Sequence, residues 1–182
     1  MSKPAEIPHF ANAYVAWLVC LFMLISKVRR EGLLSIEGEV ENVEYKDSIF
    51  QQIPQVLTQP YLGFATDILR MMVAGNLNAD ELQVYAEQAI AVQEKQCKWF
   101  FSRVDVSLLR TIWLVLWATM KGNAPTIACE YGRQVIPVKL KPSFIELEDL
   151  LRSVKNQTGH QGWSNKEGGM DAAVDDFMAT LN

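Results

Sequence analysis

The chain has 182 residues, 49% of them hydrophobic and 21% charged, enough to bury a sizeable core in one domain with a short tail. A net charge of -4 and an isoelectric point near 5.2 argue against sequence-independent nucleic-acid binding, which needs a basic surface to displace counterions. Three cysteines without paired spacing (Cys20, Cys97, Cys129) and no signal-peptide pattern suggest reduced, structural thiols in a cytoplasmic protein.

The pattern is helical almost throughout. Residues 10 to 26 lack any charge, and Tyr14, Trp17, Leu18, Leu21, Phe22, Ile25 and Val28 recur at three- and four-residue steps. This predicts a first helix from about His9 to Ile36 or Glu37, ended by the left-handed conformation that Gly38 adopts cheaply. Its apolar run, Ala13 to Ile25, is shorter than the roughly 20 residues needed to span hydrocarbon, so a buried helix is expected rather than an anchor. The basic residues Lys27, Arg29 and Arg30 follow as a positive-inside flank would. A membrane hairpin of residues 10–26 and 104–120 is the alternative.

A linking segment contains a short helix, Asp47 to Ile53, before Pro54. A further helix covers Pro60 to Ala74, stopped by Gly75-Asn76. Asn78 and Glu81 have capping-box spacing and open the next helix. No glycine or proline occurs between Ala79 and Lys121, yet a continuous helix there would reach about 65 Å, too long for a compact domain of this size. Two helices near 79–100 and 103–121 are therefore expected, with Ser102 as cap and Asp105 in the first turn. Gly122 closes the second. Pro125 suits the first position of a short helix reaching Ile136. Ser143 and Glu146 form another capping box, opening a helix to Val154 or Lys155.

The composition then turns to Gly, Gln, Ser, Asn and Lys, which bury too little to offset the entropy of ordering. The expected organisation is one all-α domain over 1–155, a compact bundle of five to seven helices, followed by a flexible tail over 156–182. Within that tail, residues 171–181 place Val174, Phe177, Met178 and Leu181 at i, i+3, i+4 and i+7. Such a segment suits docking into a partner's groove, or packing on its own bundle.

The chemistry of catalysis is not visible. His9 and His160 lie near opposite ends, and no phosphate-cradling loop, nucleophile elbow or zinc pattern occurs. The reading is a non-enzyme without cofactor, metal, nucleic-acid or small-molecule site. More informative is the charged end of the first helix, with Lys27, Arg29, Arg30, Glu31 and Glu37. Taken alone it reads as a solubilising face whose cations favour a helix C-terminus.

Two blocks carry a resemblance. One is Ser26-Lys-Val-Arg-Arg-Glu-Gly-Leu-Leu-Ser-Ile-Glu37. The other is Gly122-Asn-Ala-Pro-Thr-Ile-Ala-Cys-Glu-Tyr-Gly-Arg133 with its continuation Lys141-Pro-Ser-Phe-Ile-Glu-Leu-Glu-Asp149. Over residues 12–96 and 108–156 the chain resembles the cytoplasmic parts of the flagellar stator MotA family. The resemblance implies a stator-like component of a bacterial membrane machine, either the flagellar motor or a secretion or conjugation apparatus, acting by protein–protein binding. It also implies that Arg29 and Glu37, with Lys27 and Arg30 beside them, face a partner such as the rotor's switch protein. A homo-oligomer and a peripheral place at the inner membrane fit the same reading, as does a regulator that competes for the rotor. On one continuous helix, Arg29 and Glu37 would project about 80° apart. The family's two N-terminal membrane helices are absent from the chain. Its channel hairpin is replaced by Cys97-Lys-Trp-Phe-Phe-Ser-Arg-Val-Asp-Val106, so ion conduction is not expected. The two cytoplasmic blocks are expected to fold as one bundle, with Trp99, Phe100, Phe101, Trp113 and Trp117 filling the junction.

Overall fold

The structure is a computed structural model that describes residues 9–75, 77–100 and 104–160, with side-chain environments given for 13–75, 77–97 and 104–156. Among these it is all helical. Seven α-helices follow in order: α1 (His9–Glu31), α2 (Glu37–Glu41), α3 (Tyr61–Ala74), α4 (Ala79–Phe100), α5 (Val106–Met120), α6 (Pro125–Gln134) and α7 (Phe144–His160). Short 3₁₀ turns lie at Leu33–Ile36, Pro54–Val56 and Val138–Leu140.

The first helix is the axis. A helix that is apolar on every face has to be surrounded, and every residue from Tyr14 to Ile25 is at most 4% exposed. Its sheath comes from α5, α6, α7 and all three 3₁₀ turns. No described helix is long and apolar enough to cross a membrane. The two stretches that could have formed a hairpin, α1 and α5, instead pack against each other in the core, which leaves α1 no apolar face for lipid.

Helix α6 lies closest to the axis at Gly132. A Cβ there would sit 2.5 Å from Val115 Cγ2, 3.0 Å from the Thr111 carbonyl oxygen and 3.2 Å from Leu18 Cδ2. The glycine lets three helices meet. Beside it, Cys129 is fully buried with its Sγ 3.5 Å from the Leu18 carbonyl, and burial pushes its thiol well above the usual range.

Local signals set most boundaries. Asn78 Oδ1 accepts from the Asp80 and Glu81 amides at 2.9 and 3.0 Å, while the Asn78 amide donates to Glu81 at 2.8 Å. The Ser143 amide likewise donates to Glu146 at 2.6 Å, and the Glu146 amide to Ser143 Oγ at 3.3 Å. Gly75 ends α3 at φ 68°, and Pro125 stands in the first turn of α6.

Five features differ from expectation. Helix α1 stops at Glu31, because Gly32 at φ 88° turns the chain out of the helix; Gly38 lies inside α2 instead. The proposed helix over 47–53 is a run of turns, stitched by amide bonds from Ser48, Gln51, Gln52 and Ile53 to carbonyls three residues back. Helix α6 ends at Gln134, before Ile136, and α7 runs on to His160. Asp105, not Ser102, caps α5: its Oδ1 accepts from the Ser107 amide at 3.0 Å. Ser102, the junction aromatics Trp99, Phe100 and Phe101 as side chains, and residues 161–182 of the expected tail lie outside the described residues, while 156–160 belong to α7.

Asp105 also clasps the junction. Tyr14 Oη donates to its Oδ2 at 2.7 Å, and the Asp105 amide donates to Tyr61 Oη at 2.7 Å. One residue thereby ties α1, α3 and the start of α5 at the point where the two sequence blocks join. Burial, with the carboxylate next, raises the Tyr14 phenol above its ordinary range, so it stays a donor.

Two sets of substitutions test this packing. Gly132→Ala should lower stability by about 1–3 kcal/mol through overpacking, whereas Gly38→Ala, with nothing near its Cβ, should raise it by about 0.4–1 kcal/mol; urea midpoints report both. Asp105→Ala should cost about 2–4 kcal/mol, from the lost cap and the orphaned phenol. Adding Tyr14→Phe to that variant should recover part of the loss, because it removes the unpaired hydroxyl.

Candidate partner-binding site

The charged segment that ends α1 is an elbow rather than a helical face. The Gly32 amide donates to the Val28 carbonyl at 2.8 Å, and Ser35 Oγ donates to the Gly32 carbonyl at 2.6 Å, closing a tight corner. Ile36 and Val40 then anchor the returning chain in the core. The 80° separation of Arg29 and Glu37 assumed a continuous helix and does not apply across this corner.

Within the elbow the charges divide into two groups. Lys27 is internal: its ammonium lies 2.8 Å from Glu39 Oε1, with side chains only 19% and 11% exposed. Glu39 Oε2 accepts the Ile49 amide at 2.8 Å, so both carboxylate oxygens are used. This pair ties α1 to α2 and to the turns around Ile49, and it lines a cleft of about 490 Å³ together with Ser35, Asn42, Tyr45 and Asp47. Arg29, Arg30, Glu31 and Glu37 are exposed. Arg30 reaches Glu31 at 3.4 Å, a surface pair worth little. Arg29 and Glu37 enter no ion pair or side-chain hydrogen bond with a described residue.

A residue that sequence reasoning passed over stands between them. Leu34 is 71% exposed, and Arg29, Arg30, Glu31 and Glu37 lie within five residues of it in the sequence. Its neighbours Leu33 and Ile36 pack on the core, and only three-dimensional placement separates it from them.

The second sequence block is structural. Arg133 makes a two-pronged ion pair with Glu130, both contacts at 2.6 Å, and its Nη1 donates to the Pro142 carbonyl at 2.9 Å. Lys141 Nζ donates to the Gln134 carbonyl at 2.7 Å. The Glu130-Tyr-Gly-Arg133 run therefore presses α6 inward at Gly132 and straps it to the strand of chain leading into α7. Hydrogen bonds from Arg133 hold the Glu130 carboxyl below the usual carboxylate range. No group of three metal-ligating side chains occurs among the described residues. The tail residues Val174, Phe177, Met178 and Leu181 lie outside them.

The depressed Glu130 carboxyl has a pH signature. Its contribution is present above the ordinary value of 4.5 and is lost as pH falls through the lower folded value. Glu130→Gln should thus be less stable than the natural chain at pH 7, with the gap closing below pH 4.5 in urea titrations. The lowered carboxyl of Glu146 is common to both and cancels.

Similarity to known proteins is limited but consistent. The chain is 22% identical to motility protein A of Salmonella typhimurium, covering 82% of this chain and 74% of the relative. It is 23% identical to motility protein A of Escherichia coli, covering 79% and 72%. The first match spans 219 positions, more than the chain's 182 residues, so the relative carries residues inside the span that have no counterpart here. No family model matches the chain, and no solved structure does. The chain is a distant relative of motility protein A.

Proposed function

We propose that the protein is a stator-like, non-enzymatic binding component of a bacterial membrane-associated machine, with the α1–α2 elbow as its contact surface. The relationship to motility protein A supports the stator-like reading at a coarse level. The observation that carries the surface is the division of charge at the elbow. Lys27 and Glu39 are spent on holding its shape, while Arg29 and Glu37, before and after exposed Leu34 in the chain, are exposed and pair with no described residue.

That arrangement has the chemistry of a recognition site. An apolar side chain with large free area supplies contact energy when a partner covers it, and the surrounding charges exclude wrong registers and steer encounter. A rigid corner keeps both from paying a large ordering cost on binding. The partner class that fits is a protein face with a shallow apolar socket and charges of both signs, the rotor's switch protein being the first candidate. The shortened link between α4 and α5 supports a chain that binds without conducting ions.

Purified full-length chain titrated with the flagellar rotor switch protein tests this reading. Arg29→Ala with Glu37→Ala should weaken binding at least about tenfold at low salt, with a smaller difference at high salt. Leu34→Ser should weaken it at every salt concentration. Because these side chains are exposed, thermal stability should stay within about 0.5 kcal/mol of the natural chain. Binding that is indifferent to all three substitutions would remove the elbow from the interface. Absence of any binding to the switch protein would move the partner to a secretion or conjugation apparatus.

A further inference from the structure

Between α4 and α5 lies an open groove of about 440 Å³. Ile90 and Ala91 of α4 and Trp113, Leu114 and Trp117 of α5 line it. Trp117 is braced by an edge contact to Tyr131, with ring centroids 6.0 Å apart, and by Lys121 Nζ 5.7 Å from its ring centre. Its indole Nε1 is buried without an acceptor among the described residues. The groove, built on two helices, thus offers an apolar patch, with Gln83, Glu87, Glu94 and Arg110 among its other lining residues.

We propose that residues 171–181 of the same chain occupy this groove, setting Val174, Phe177, Met178 and Leu181 against Trp113, Leu114 and Trp117. Three considerations select this occupant. The four side chains have the i, i+3, i+4, i+7 spacing of a helix-in-groove ligand, which leaves Asp175 and Asp176 off the apolar face. The tether is long enough: α7 ends at His160, and the ten residues to position 170 reach at most about 35 Å when extended, against a radius of gyration of about 15 Å for a body of this size. The start point is also favourable, since α7 packs on α6 and α6 on α5, which forms one wall of the groove. A segment tethered in this way is present at an effective concentration of about 1 mM, well above that of a second copy in dilute solution.

Solvent exchange of tryptophan indole protons, followed by NMR on the full chain, tests the assignment. In the Phe177→Asp, Leu181→Asp double variant the Trp113 and Trp117 signals should shift and the Trp117 proton should exchange about tenfold faster. The Trp17 signal, from the centre of the core, should not change. Leu114→Glu should give the same pattern from the groove side, with Trp17 again reporting an intact fold. Unchanged Trp113 and Trp117 signals in the Phe177→Asp, Leu181→Asp variant would overturn the proposal. So would a difference that disappears on tenfold dilution, which would place a second copy in the groove.

Discussion

The apolar stretch of α1 has no hydrophilic side, and a helix of that kind must be kept from water on every face. A bilayer could do this, but the stretch is short for it; here the rest of the chain does. Burial of a large aliphatic or aromatic side chain is worth about 1.5–3 kcal/mol, and most residues of the buried stretch from Tyr14 to Ile25 are of this kind. The other elements are arranged around that demand. Gly132 admits α6 close to Leu18, Asp105 fastens Tyr14 to the start of α5, and Lys27 with Glu39 fastens the end of α1 to the turns that follow.

This arrangement explains how segments from the two ends of the sequence form one core without a long intervening excursion. The α4–α5 connection needs only a few residues, and its far side is fixed by the Asp105 clasp. It also explains where the surface is free to act. Glu130 and Arg133 are occupied with structure, Glu130 with Arg133 and Arg133 also with the Pro142 carbonyl. At the elbow around Gly32, Lys27 and Glu39 are paired inside, while the exposed Arg29 and Glu37 pair with no described residue.

Features decided within four residues were legible in the sequence. Asn78 with Glu81 and Ser143 with Glu146 form as capping boxes, and Gly75 and Pro125 sit where their backbone preferences place them. Features decided by distant contacts were not. Asp105 displaces Ser102 as the cap because it also has Tyr14 and Tyr61 as partners, 91 and 44 residues away. Helix α1 breaks at Gly32 rather than at Gly38, so that Ile36 and Val40 can return to the core. The candidate site was legible as a charged block, but the internal use of Lys27 and the exposure of Leu34 needed Glu39 and the corner in place. Gly132 carries no local signal of its role; only three neighbouring helices reveal it.

If α1 is the buried axis of a self-sufficient bundle, its amides should open only when the whole domain unfolds. Native-state hydrogen exchange of the full chain in detergent-free buffer measures this directly. Amides of residues 14–25 should be the slowest in the protein, at least about 10³-fold slower than unstructured ones, and should respond to urea with the slope of global unfolding. Fast exchange along α1 without detergent, slowed when lipid or detergent is added, would contradict this and make the membrane, rather than α5, α6 and α7, the natural cover of the helix.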